Sequence, residues 1–431
     1  MRNPSPAIIF RWAGAVLTLP GLTALSIICV NAGDWPAFRG PDGNGIARET
    51  RAPLHWGPEK NIRWKIPLPG PGNSSPIVSH GRVFVTCAED QGHKRHLYCI
   101  DRRTGETNWM RTTEYSEVEP THRTNPYCGS TPVADGERVV VWHGSAGVIC
   151  YGFDGGKIWQ KDLGPVRHEW GYGSSPVLHR GKVLLNFGPG SRSALVALDL
   201  KTGQLLWKQD EPGGLDATDK RMVGSWTTPG IITVAGKDQI LCSMPTRVVA
   251  LEPDTGSLLW FCSGLGSEKI DLVYASPVVS GGMGVAFTGW VTGPTMGFSL
   301  GGSGDVTTTN RLWLEKQTQR LGSGVVVDGN VYMVNAGPGT AQCIECQTGK
   351  TRWVERLEGG ESWGSVVMAA GRLYVTSRRG VTTVFKADPT KLEVLAANDL
   401  KEPSNATPAI SDAEIFLRTD SHMFCIAGNE E

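Results

Sequence analysis

The stretch Asp101-Arg102-Arg103-Thr104-Gly105-Glu106-Thr107-Asn108-Trp109 decides the fold. It returns as Asp199-x-x-Thr202-Gly203 before Trp207, Glu252-x-x-Thr255-Gly256 before Trp260, and Glu345-x-x-Thr348-Gly349 before Trp353. Asp305-x-x-Thr308 before Trp313 keeps the pattern without the Gly. A carboxylate at the first position can accept hydrogen bonds from turn amides, and Gly supplies left-handed backbone. The Trp that follows offers a large surface for packing between neighbouring sheets. Each copy therefore reads as the turn from a third to a fourth strand.

Outward from these turns, the rest of a repeat can be read. Each unit opens on two small residues and a Pro: Ser74-Ser75-Pro76, Ser130-Thr131-Pro132, Ser174-Ser175-Pro176, Thr227-Thr228-Pro229, Ala275-Ser276-Pro277 and Ala406-Thr407-Pro408. Degenerate openings stand at Gly322-Ser323-Gly324 and Trp363-Gly364-Ser365, which brings the number to eight. A short apolar strand follows each opening. Then comes a tight turn such as His80-Gly81, Asp135-Gly136, Arg180-Gly181, Ala235-Gly236, Asp328-Gly329 or Ala370-Gly371, where Gly permits the positive φ of a hairpin. The period is about 47 residues, within the range of repeat architectures.

Four antiparallel strands repeated eight times predict an all-β, eight-bladed propeller. The last unit, Ala406 to Asn429, has room for three strands and lacks the Trp. Asn61-Ile62-Arg63-Trp64-Lys65 reads as an orphan fourth strand. This N-terminal strand is expected to complete the last blade and so remove an aggregation-prone edge. The chain then divides into a signal peptide (1–32), an N-terminal cap (33–60) and the propeller (61–431).

Composition agrees with this reading. The 431 residues carry 42 Lys+Arg against 42 Asp+Glu, which argues against a nucleic-acid binder. Fifty-five Gly, 15 Trp and only 19% charged residues suit short strands and tight turns rather than disorder. Arg2 and Arg11, the apolar run Trp12 to Val30, and Val30-Asn31-Ala32 read as an export signal cleaved before Gly33. A retained anchor is the rival, because such a run can just span a bilayer. Pro20 and Gly21 interrupt it, and no later run is long enough to cross.

Ten Cys in an exported chain raise the question of disulfides. Cys99, Cys150, Cys343 and Cys425 share one repeat slot that is Ala197 and Ala250 in other blades. That alternation marks a small buried core position. Cys343-x-x-Cys346 lacks the second pair of a zinc ribbon. Cys346 is open as an exposed thiol or as a redox partner of Cys343. Cys87 and Cys99 flank one hairpin and are open as cross-strand partners.

In a four-stranded blade the tight turns share one face. The other face carries the second-to-third loops and the blade-to-blade links, including 89–95, 115–128, 164–173, 210–225 and 288–299. Function usually rides on such loops. Two links are rich in chemistry: Glu119-Pro120-Thr121-His122-Arg123-Thr124-Asn125-Pro126-Tyr127 and Arg167-His168-Glu169-Trp170-Gly171-Tyr172-Gly173. The ligand-binding candidates are His122, Arg123, Asn125, His168, Glu169, Trp170, Trp226 and Trp363, placed around the channel mouth as a polar-aromatic pocket. The alternative is that they satisfy loop backbone and pack neighbouring blades.

These repeats resemble the pyrroloquinoline-quinone (PQQ)-like propeller repeat family. The cap Asp34-Trp35-Pro36-Ala37-Phe38-Arg39-Gly40-Pro41 and His168-Glu169-Trp170-Gly171-Tyr172-Gly173-Ser174-Ser175-Pro176 are similar to exported PQQ-like and BamB-like propellers of the planctomycete type. The resemblance implies one of two functions. One is a quinoprotein alcohol or sugar dehydrogenase holding PQQ and calcium over the channel. The other is a BamB-like scaffold that binds protein partners. The dehydrogenases are longer and carry an adjacent Cys-Cys pair that is absent here, and the calcium constellation is missing too. The lipobox of the BamB branch is not offered at Cys29. The expectation is therefore an exported, non-catalytic propeller without a cofactor, monomeric, in the periplasm or cell envelope. It would bind an envelope protein or a small polar ligand on its long-loop face. A PQQ- and calcium-dependent dehydrogenase is the alternative, with Glu169 or a link-loop Asp as general base.

Overall fold

The computed structural model describes Met1 and residues 33–189, 193–211, 222–267, 270–289, 292–318 and 321–428. The segment read as an export signal lies outside the described residues. Among the described residues, no helix is long and apolar enough to cross a membrane.

Eight blades of four antiparallel strands form the propeller, the fourth blade carrying an added fifth, parallel strand. Blade one runs through Ile77–Ser79, Arg82–Glu89, Lys94–Asp101 and Thr107–Glu114, from the channel outward. Its first turn places both His80 (φ 48°) and Gly81 (φ 75°) in the left-handed region, the conformation a two-residue hairpin needs. Blade eight consists of Ala409–Ser411, Glu414–Arg418 and His422–Ala427, with Ile62–Pro67 as its outer strand. Trp64 faces Cys425 in that pairing, so the N-terminal strand closes the ring as the sequence indicates.

The acidic turns work as expected and do more. Asp101 Oδ1 accepts the amides of Arg103 and Thr104, both at 2.9 Å. These bonds hold its carboxyl below the ordinary carboxylate range, the Thr104 amide most of all. Gly105 sits against the ring of Trp64 in the preceding blade, where a Cβ would come within 2.8 Å. Trp64 Nε1 donates to Arg102 O at 2.8 Å. The same clasp recurs from Trp109 to Phe153 O, Trp159 to Leu200 O, Trp313 to Cys346 O and Trp353 to Asp388 O. The turn and the Trp of one motif thus act on opposite neighbours.

The Cys/Ala slot lies directly across from this Trp. Cys99 faces Trp109, Cys150 faces Trp159, Ala197 faces Trp207, Ala250 faces Trp260 and Cys343 faces Trp353. A small residue there leaves room for the indole. All nine described cysteines are free and buried, Cys346 among them, so an exposed thiol at Cys346 is not found. Cys87 opposes His96 and Cys99 opposes Phe84, so those two thiols are not cross-strand partners.

Blade five departs from the repeat. Its third strand is Thr292–Ser299, so most of 288–299 is strand rather than loop. Asp305 does not end that strand. It lies in Gly304–Asp305, which pairs in parallel with the outer strand of blade four. With no acidic turn to receive it, Trp260 Nε1 donates to Gln239 Oε1 of its own blade instead, at 2.8 Å.

The cap lies on the tight-turn face and crosses the channel there. Trp35 bridges Val78 of blade one, Pro36 O accepts the Ala134 amide of blade two, and Ala47 and Met368 of blade seven are bonded. Trp35 is 1% exposed and belongs to the largest core cluster.

Candidate functional site

The second small residue of each opening begins the innermost strand, at the end facing the long loops. In all eight blades its hydroxyl accepts the backbone amide of the equivalent residue one blade back. The bonds are Ser75 N to Thr131 Oγ1, Thr131 N to Ser175 Oγ, Ser175 N to Thr228 Oγ1 and Thr228 N to Ser276 Oγ, at 2.9, 3.0, 3.1 and 2.9 Å. Ser276 N to Ser323 Oγ, Ser323 N to Ser365 Oγ, Ser365 N to Thr407 Oγ1 and Thr407 N to Ser75 Oγ complete the circle, at 2.9, 3.0, 2.9 and 3.0 Å. A Pro usually follows, which fixes the backbone without needing an amide donor. Sequence reading noted the Ser/Thr-Pro openings but not this ring. The repetition of a hydroxyl one residue before the Pro was its signal.

The ring lines a cavity of about 390 Å³ in the channel, within the range of small-molecule pockets. Trp170, Trp226, Tyr274, Trp363 and Leu321 add apolar wall, and Asn73, Asn125, His122 and Asn405 add polar groups. Phe38 of the cap reaches it from the tight-turn side. Among the described residues, no Asp, Glu, Lys or Arg lines it.

Five of the eight candidates line this cavity: His122, Asn125, Trp170, Trp226 and Trp363. His122 lies 4.6 Å from the Trp170 ring, and its Nδ1 is 2.7 Å from Thr124 Oγ1. Asn125 binds the two links together, donating to Trp170 O and Tyr172 O at 2.8 Å each. Trp226 Nε1 donates to Gly171 O at 2.9 Å, and its ring stands 4.9 Å from Tyr274. Arg378 stacks over Trp363 at 4.3 Å.

The other three stand outside the lining. Arg123 and Glu169 are exposed. His168 is half-buried behind the wall, edge-on to Trp226 at 4.9 Å, with Nδ1 accepting the Trp170 amide at 3.1 Å. Burial holds its pKa below the ordinary imidazole range, with Glu169 opposing. Glu169 is near enough to add to the upward push that burial gives the Tyr274 phenol. Tyr274 and Asn73 were not singled out from sequence, because nothing in their local pattern marks them.

A buried ion pair sets the first link. Glu119 and Arg95, 2% and 0% exposed, meet at 3.4 Å. Glu119 Oε2 also accepts the Ser145 amide at 2.6 Å, and Arg95 donates to Gly92 O at 2.9 Å and to His143 O. The rings of Tyr115, Tyr127 and Tyr172 surround the guanidinium at 5.2–5.7 Å. Tyr172 OH donates to Tyr127 O at 2.6 Å. Glu119 therefore anchors the segment that presents His122 and Asn125.

A second buried cation lies on the tight-turn side of the ring. Arg39 is 2% exposed and donates to the carbonyls of Gly43, Asn44 and Gly324. It has no carboxylate partner among the described residues, and its Nη1 is buried without an acceptor there. Burial lowers its pKa to about 10, so it stays charged at neutral pH.

Among the described residues, no three His, Cys, Asp or Glu side chains come together as metal ligands. Calcium takes six to eight oxygens, commonly including carboxylates, and the described lining of the cavity supplies no carboxylate. The described donor set therefore does not fit a quinone held over calcium.

Known proteins agree with the architecture. The chain is 23% identical over 251 residues to polyvinylalcohol dehydrogenase of Sphingopyxis sp. (strain 113P3), which covers 49% of this chain and 36% of that one. The protein of the same name from a Pseudomonas species matches at 23% over 240 residues, with 47% and 36% covered. The chain thus spans little more than a third of these relatives. BamB from Moraxella catarrhalis superposes with a TM-score of 0.58 at 13% identity, over 86% of this chain and 98% of that one. Quinohemoprotein alcohol dehydrogenase from Comamonas testosteroni gives 0.61 at 13% identity, over 93% and 81%. Both likenesses concern the fold. The family model described as outer membrane protein assembly factor BamB matches residues 54–127, 93–355 and 339–428. Taken with the eight clasped blades, that match over most of the length makes this chain a member of the BamB-like family of PQQ-type propellers.

Proposed function

We propose that this protein is an exported, non-catalytic propeller that binds a small polar ligand in the channel on its long-loop face. One observation carries the reading: a 390 Å³ cavity that joins three indoles and a phenol to a ring of hydroxyls. Ligand pockets combine apolar walls with a few placed polar groups in this way. His122, Asn125, Trp170, Trp226 and Trp363 are the contacts. Arg123, His168 and Glu169 support or border them. Export is supported by the charged and apolar character of residues 1–32.

A protein partner on the same face is the second reading, favoured by the family's description as an assembly factor. A dehydrogenase reading draws only on the partial likeness to the polyvinylalcohol dehydrogenases. With no lining carboxylate among the described residues to serve as base, we derive no step for it.

The test uses purified mature chain and three variants: Trp226→Ala, Trp363→Ala and the exposed-site control Glu169→Gln. Each is titrated with small polar metabolites and incubated with envelope extract, and each is melted. Loss of binding in the Trp variants at preserved melting temperature supports the pocket. Unchanged binding with lowered melting temperature reduces these residues to packing. Turnover of alcohols with added PQQ and calcium would replace the binding reading with catalysis.

A further inference from the structure

The ring of eight hydroxyls presents donors that no acceptor among the described residues receives. A hydroxyl has one hydrogen to give and two lone pairs. In each ring residue the oxygen accepts a neighbouring blade's amide, which uses one of the two lone pairs. None of the eight donates a hydrogen bond among the described residues, although all are more than nine-tenths buried, from 2% exposed at Thr131 to 7% at Thr228. All eight line the cavity. Each ring hydroxyl therefore keeps its hydrogen free to donate to an occupant of the cavity.

Charge decides which occupant. Among the described residues, no acidic side chain lines the cavity. Arg39 donates to Gly324 O, the residue after ring member Ser323, and has no carboxylate partner among the described residues. Phe38, beside it in sequence, reaches the cavity. An uncompensated buried cation near a ring of donors favours negative charge. The blades are spread around a channel, so a monatomic anion would meet only an arc of the ring. Several carboxylates on one carbon skeleton can meet more of it. Asn405, also in the lining, has a buried Oδ1 without a partner among the described residues. A hydroxyl on the ligand would satisfy it. The indole walls give the skeleton an apolar bed.

We propose that the Ser/Thr ring is the floor of a binding site for a small organic polycarboxylate bearing a hydroxyl group. This rests on the reading of the channel as a ligand pocket and names the ligand class. Its carboxylate oxygens accept the ring O–H groups, and Arg39 supplies the compensating charge.

Calorimetric titration of the mature chain at constant ionic strength tests it, with citrate, tricarballylate, sulfate and glucose as probes. Citrate is expected to bind saturably, tricarballylate several-fold more weakly for want of the hydroxyl, and sulfate and glucose far more weakly still. The double variant Thr131→Val/Thr407→Val keeps side-chain shape, removes two donors together with the acceptors of the Ser75 and Ser365 amides, and should weaken citrate at least tenfold. Arg39→Gln should weaken citrate while leaving glucose unchanged. Should a variant not fold, a crystal structure of the natural chain with citrate decides, by the presence or absence of carboxylate oxygens on the ring. Failure of both carboxylates to bind folded protein, equal citrate affinity in the double variant, or only water on the ring overturns the proposal. Glucose or an envelope protein bound through Trp226 and indifferent to the ring would also overturn it, yet leave the pocket reading standing. No occupant of any kind would remove both.

Discussion

The amide of Thr407 donates to Oγ of Ser75 at 3.0 Å across 332 positions of chain. It is the eighth of eight equivalent bonds and the one that joins the two ends of the repeat array. Around it, Arg418 of blade eight donates to Ser74 Oγ at 2.9 Å, Thr86 O at 2.6 Å and Gly70 O at 3.1 Å. Arg102 of blade one reaches Glu414 at 2.9 Å. Closure is thus secured at the channel, in mid-blade and at the rim by different chemistry.

The outer part of that closure can be tested at Trp64. The residue is 7% exposed and clasps Gly105. Trp64→Ala should cost about 3–5 kcal/mol of stability, as for other large-to-small core changes. Gly105→Ala, at φ 78° with the ring in its way, should cost about 1–3 kcal/mol. Urea unfolding of both and of the double variant checks this. The double should lose less than the sum, because one contact is removed twice.

Breaking the Arg95–Glu119 pair should be expensive. Glu119→Gln leaves a buried guanidinium without its counter-charge, which typically costs about 3–5 kcal/mol. The loss should come with weaker ligand binding, since His122 and Asn125 ride on the freed link. A melt of Glu119→Gln that matches the natural chain would refute the anchoring role.

Acid should destabilise the fold through its buried histidines. His143 is 1% exposed, and burial lowers its pKa to about 3, with Arg95 nearby adding to the effect. Unfolded, it takes its proton near pH ~6.5. Its contribution is therefore complete above that pH and fades as pH falls toward 3, by up to about 1.4 kcal/mol per pH unit. Burial lowers His96 and His168 as well, so they act with the same sign. Unfolding free energies between pH 7 and pH 4 should fall less steeply in His143→Gln than in the natural chain.

The cysteines should be silent until the protein unfolds. Burial pushes the thiols of Cys87, Cys99, Cys150 and Cys242 up to about 12, and those of Cys262, Cys343 and Cys346 up to about 11. The thiolate is the reactive form. A native sample should show no fast reaction with an aromatic disulfide reagent, and a denatured one should release all nine thiols of residues 33–431.

Much of this architecture is legible in the sequence because the repeat forces each blade to use the same local chemistry. Asp101 and Gly105 betray their turn, and Trp64 betrays the strand that closes the ring, since each role is set by neighbours in the chain. Blade five was misread at Asp305 because the added parallel segment depends on an edge contributed by blade four. The pocket was half legible. Trp226 and His122 stand out as large side chains in links, whereas Tyr274 and Asn73 matter only by where the ring carries them. Arg123 and Glu169 share a link with true lining residues but turn to solvent, a choice made by backbone geometry that charge and spacing do not encode.

Borrowing the outermost strand of blade eight from the beginning of the chain has a consequence for biogenesis. During synthesis that segment emerges first and stays without a mate until the final residues appear. Every blade before the eighth can settle as it is made, but the circle cannot be sealed until the strand His422–Ala427 exists to receive Ile62–Pro67. A chain cut before that strand would present raw sheet borders, so the ring tolerates no loss of its eighth blade.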